Sequence, residues 1–113
     1  MSRVLQRADA FIADFEQQAR WYVREAGEDV AKRYLQALEK TLLLLGEHPG
    51  LGRLRRFHHP QLQGLRSFRV APPFQRHLIF YRFEASFLSA ERVMHGARNL
   101  PRRLRELPGE TSD

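Results

Sequence analysis

Two histidines and a scatter of arginines are the residues of this 113-residue chain that could do chemistry. His77 opens the apolar run "HLIFYRF" (77–83), and His95 closes a later extended run, with Gly96 and Arg98 just beyond it. Arg66, Arg69, Arg76, Arg82 and Arg92 lie along the same half of the chain. An imidazole moves protons near neutral pH and a guanidinium grips phosphate. His77, His95 and Arg98 are therefore the catalytic candidates if the protein is a nuclease. The same groups can instead form a docking surface. On that reading the partner-binding candidates are Trp21, Arg66, Arg69, Arg76, Arg82, Arg92, His95 and Arg98.

Metal and cofactor chemistry find little support. His58 and His59 are adjacent and followed by Pro60, there is no cysteine, and no acid stands between His48 and His77. Such a pattern suits a solvated loop better than a zinc site. No metal and no cofactor is expected.

The charge is uneven. Residues 1–47 carry seven Lys/Arg against eight Asp/Glu, whereas residues 48–113 carry twelve Arg against five acids. A field of that sign attracts phosphate or an acidic protein. The bias to arginine, 17 of 19 basic residues, is also what a GC-rich genome produces. No apolar run approaches the roughly 18–20 residues that span a bilayer. Together with the lack of cysteine and of a basic-then-apolar leader pattern, this points to a cytoplasmic protein with no membrane partner.

The elements that must position these groups are legible in outline. Phe11, Phe15, Ala19, Tyr22 and Ala26 fall on one helical face, and Ala31, Leu35, Leu38, Leu42 and Leu45 form the stripe of a second helix after a turn at Gly27. Trp21 lies off the first stripe, either as a lid on the core edge or as an exposed anchor. The second half is extended: "GLRSFRV" (64–70), "HLIFYRF" (77–83) and a run over 86–95 of mixed parity, with Val4–Gln6 as a possible edge strand. The expected fold is α+β, an N-terminal helical hairpin packed on a small, mostly antiparallel sheet of three to four strands. Residues 1–107 form one domain and 108–113 a disordered tail. Gly96 is expected to make a turn that tips Arg98 and a mobile "NLPRRLREL" end away from the sheet.

Four segments in order, "HPGLGR" (48–53), "GLRSFRV" (64–70), "HLIFYRF" (77–83) and "RVMHGARNLP" (92–101), resemble the ParE branch of the ParE/RelE toxin superfamily, the plasmid-stabilisation toxins of bacterial toxin–antitoxin pairs. The likeness covers about residues 3–104. It implies two helices on a curved sheet. It also implies a toxin that binds and poisons DNA gyrase and is held inactive by a cognate antitoxin, a small ribbon-helix-helix-like or similar protein whose C-terminal segment folds onto the toxin. RelE-like relatives instead cleave ribosome-bound mRNA without a metal, and usually carry a tyrosine or histidine after the last strand. Here no aromatic follows Phe87. A base-stacking group is missing from that place, which favours a gyrase-binding toxin over a nuclease. No reading helix or ribbon for sequence-specific nucleic-acid binding is evident.

Overall fold

The computed structural model describes residues 3–96 and 100–107. Its elements run β1 (Val4–Arg7), α1 (Asp9–Ala26), α2 (Glu28–Glu47), β2 (Arg53–Leu54), β3 (Arg66–Arg69), β4 (His77–Phe83), β5 (Phe87–His95) and α3 (Leu100–Arg105), with 3₁₀ turns at Pro49–Leu51 and Pro60–Leu62. The sheet has five strands in the order β1-β5-β4-β3-β2. Only β1 is parallel to its neighbour; the other pairings are antiparallel. The expected fold class is present, with one more strand than the sequence suggested. That strand, β2, has two residues and no alternation to betray it. It pairs Arg53 with Ser67 and Leu54 with Arg66.

Side chains on the two sheet faces feed two separate cores. Toward the helical hairpin, Ile79, Tyr81, Leu88, Ala90 and Val93 pack under Phe11, Tyr34, Leu38, Leu42 and Leu45. The stripe of α2 runs through Tyr34, fully buried, rather than Leu35, which is 42% exposed. Toward the other face, Phe80 and Met94 meet Leu62, Leu65, Leu100 and Leu104. Residues 100–105 are therefore a helix docked on the sheet, not a mobile end: Leu100 and Leu104 stand one turn apart and are both buried. Gly96 does take the positive φ expected of it, +82°. Residues 97–99, Arg98 among them, and the expected tail at 108–113 lie outside the described residues.

A bulge resolves the mixed parity of β5. Tyr81 pairs with Ala90 but Phe80 pairs with Arg92, so Glu91 is the extra residue. Leu88 and Ala90 before it, and Val93 after it, all face the helical hairpin.

The "HPGLGR" segment is held by Tyr81. Its buried hydroxyl donates to the Pro49 carbonyl at 2.5 Å and accepts from the Gly52 N–H at 2.9 Å. A Cβ on Gly52 would overlap that hydroxyl and the ring edge. Gly52→Ala is thus expected to cost about 1–3 kcal/mol in urea unfolding by overpacking. Gly50→Ala, whose Cβ would meet open space, should stay within about 0.5 kcal/mol of wild type.

Candidate functional site

Beside the point where β1 ends, α1 takes over the free edge of β5. The Asp14 carboxylate accepts the Val93 N–H at 3.1 Å, a donor that the next strand would otherwise take. It also accepts Arg92 Nε at 2.7 Å and Nη2 at 2.9 Å, a two-pronged buried ion pair. The third nitrogen, Arg92 Nη1, reaches the carbonyls of Leu104 at 3.2 Å and Glu106 at 2.7 Å, at the negative end of α3. One guanidinium joins α1, β5 and α3.

Against this node lies a cavity of about 540 Å³. Asp14, Gln17, Gln18, Trp21 and Tyr22 of α1 form one wall, Val93, Met94 and His95 of β5 another, with Tyr34, His77 and Arg103 between them. The histidines meet here. β4 and β5 set His77 opposite His95, rings 5.0 Å apart and edge-on, a juxtaposition that no spacing in the sequence announced. His77 Nε2 is 2.8 Å from the Tyr22 hydroxyl. Its ring also lies 4.8 Å from that of Tyr34. Burial, helped by the neighbouring His95, pushes His77 down to about 4, so it is neutral at physiological pH. Burial raises both Tyr22 and Tyr34, and both keep their hydroxyl protons. An imidazole that stays neutral to about pH 4 is mismatched to proton transfer at pH 7. His95, exposed at the mouth, is the imidazole that meets solvent.

The arginine candidates divide by what they touch. Arg66 donates to the Gly52 carbonyl at 2.8 Å and lies over the Phe83 ring. Arg82 holds the 60–63 turn through the Gln61 and Gln63 carbonyls and pairs with Glu91 at 3.3 Å. Arg92 is buried in the node. All three guanidinia hold other segments of the fold, Arg92 from a buried position and Arg66 and Arg82 from partly exposed ones. Arg69 and Arg76 are exposed. The ring of Trp21 packs edge-on against Tyr22 at 5.5 Å, and 47% of the residue is exposed at the cavity mouth. His59 caps the 60–62 turn, its Nδ1 accepting from Gln61 N–H, while His58 is exposed. Among the described residues, no group of three or more His, Asp or Glu is placed to hold a metal. No helix among them is long and apolar enough to cross a membrane.

Asp14, Tyr34 and Arg103 were not singled out from the sequence. For Asp14 a signal existed: an acid three residues after Phe11 falls inside the buried stripe of α1, where it needs a cation.

A helical hairpin on one face of a five-stranded sheet, a short helix on the other and a polar cavity at the open edge of β5 define a small α+β domain. The chain belongs to the ParE toxin family of type II toxin–antitoxin systems (parDE), whose model matches residues 5–100. Its fold is similar to that of a chain in a chromosomal ParDE toxin–antitoxin system from P. aeruginosa, with a TM-score of 0.67 at 17% identity, covering 85% of this chain and 98% of that one. None of the curated proteins is a significant sequence match.

The neutral His77 has a consequence for pH. In the unfolded chain its value returns to about 6.5, so below that pH the unfolded state takes up a proton that the folded state refuses. The stability due to His77 is full above about 6.5 and is lost as pH falls through about 4. The difference corresponds to about 3 kcal/mol. Urea unfolding at pH 7.5 and 4 should show wild type losing about that much more stability than His77→Gln; equal losses would contradict the assignment.

Proposed function

We propose that this chain is a toxin that arrests growth inside the cell by binding DNA gyrase, and that a cognate antitoxin silences it by folding its C-terminal segment onto the toxin. Family membership supports the toxin and antitoxin halves of this reading. The observation that carries the choice of target is where the arginines go. A metal-free ribonuclease must hold a phosphate and its developing charge with cations free to turn toward it. Here three of the five described arginine candidates, Arg66, Arg82 and Arg92, are committed to carbonyls, a ring face and carboxylates of the protein itself, and only Arg69 and Arg76 of the five are exposed. The one buried histidine of the cluster is neutral and hydrogen-bonded to Tyr22. A gyrase poison needs none of this; it needs a rigid complementary surface.

The pairing of His77 with His95 is what favours the second reading, ribosome-dependent mRNA cleavage, since acid–base catalysis contributes about 10²–10⁴ in rate and needs such groups. Inducing the toxin alone separates the two. Gyrase-dependent DNA breaks with an SOS response and intact mRNA are expected. Codon-phased mRNA cuts that vanish in a His95→Ala variant would overturn the gyrase assignment.

A further inference from the structure

The cavity between α1 and β5 ends on a hydroxyl with no counterpart. Tyr34 is fully buried, its ring wedged among Phe15, Tyr22, Phe74 and His77. It lines the cavity, and among the described residues its hydroxyl has no hydrogen-bond partner. A buried polar group of this kind is stable only with a partner in reach. We propose that this cavity is a carboxylate pocket, filled by a Glu or Asp side chain presented by a peptide segment of a partner protein.

The donors and charges around the cavity select that chemistry. Tyr34 O–H can donate inward and His95 adds a ring nitrogen at the mouth, while the Tyr22 hydroxyl is already shared with His77 Nε2. Asp14, whose charge is felt at the Tyr34 hydroxyl, is paired with Arg92 and the Val93 N–H, so an incoming anion meets an ion pair and not a lone carboxylate. Arg24 lines the rim and makes the entrance cationic. A phosphate dianion is a poorer match: it calls for several guanidinia turned to it, whereas Arg92 is spent on Asp14 and the end of α3 and Arg103 donates to the His95 carbonyl, which leaves Arg24 at the rim. The half-exposed Trp21 and the buried Met94 supply apolar wall for the stem that carries the carboxylate. At about 540 Å³ the space far exceeds one small anion and suits a side chain with its neighbours. The surplus of seven positive charges over residues 48–113 draws an acidic segment to this protein. That the segment belongs to an antitoxin rests on the reading above; the pocket chemistry does not.

Trp21 is the only tryptophan, so its fluorescence reports on the cavity mouth. The folded toxin is titrated with two pools of capped nine-residue peptides having Leu, Phe and Ala flanks, identical except for a central Glu or Gln. Acetate and inorganic phosphate are titrated separately. The Glu pool is expected to bind at least tenfold tighter than the Gln pool, with a shift of the Trp21 emission. Tyr34→Phe and Arg24→Gln should each erode that preference at least fivefold while circular dichroism stays native. Equal binding of the two pools overturns the proposal. So does saturation by acetate or phosphate alone that excludes the peptides, which would mark a small-anion site. A co-expressed antitoxin complex that leaves Trp21 open to acrylamide and indifferent to Tyr34→Phe also overturns it, with the toxin–antitoxin reading intact. Glu-selective peptide binding without any antitoxin complex would do the reverse.

Discussion

The buried pair of Arg92 and Asp14 is the constraint on which the rest of this structure turns. Neither group could be left in the interior alone, and removing one partner of such a pair commonly costs about 3–5 kcal/mol. The pair itself is no large source of stability, since desolvation offsets most of its attraction. What it supplies is geometry. Asp14 satisfies both Arg92 and the edge N–H of β5, so α1 can lie against a strand edge left uncovered where β1 stops. Arg92 then spans the sheet edge to cap the carbonyls of α3, which holds Leu100 and Leu104 over the second core.

The cavity follows from that arrangement. With α1 fixed at Asp14, two further turns along the helix bring Trp21 and Tyr22 over the end of β5, and Tyr22 meets His77 there. The Glu91 bulge completes the site. Before it, strand pairing follows Tyr81 with Ala90; after it the register slips by one and His95 falls opposite His77. An unbroken ladder would set Met94 there instead. The bulge therefore decides that an imidazole and not a thioether faces His77 across the strand pair.

Much of the scaffold was legible from periodicity alone. Both helices and β4 declare themselves through apolar spacing, because each buries a long, regular face. The local exceptions have separate physical causes. β2 is too short to show alternation, and it exists because Arg66 and Tyr81 hold the segment around Gly52 against the sheet. In α3, Leu100 and Leu104 at helical spacing and Pro101 in the first turn were readable signs of a helix, but the density of arginine around them suggested a solvated end. The site was the least legible part. Its histidines meet only through a strand register that a single extra residue sets, and of the arginines read as surface charge Arg92 is buried while Arg66 and Arg82, partly exposed, brace loops. Helical spacing puts Leu35 on the stripe of α2 as readily as its buried neighbour Tyr34, whose aromatic cluster with Tyr22, Phe74 and His77 becomes visible only in three dimensions.

The coupling through Arg92 is open to direct measurement by amide hydrogen exchange. Asp14 touches β5 but makes no hydrogen bond to α3 among the described residues. If the ion pair holds Arg92 in place to cap that helix, Asp14→Asn should speed exchange over residues 100–107 as well as at Val93, and by a similar factor to Arg92→Gln. Faster exchange at Val93 with residues 100–107 unchanged would show that α3 is docked independently, and that the node does not organise this end of the molecule.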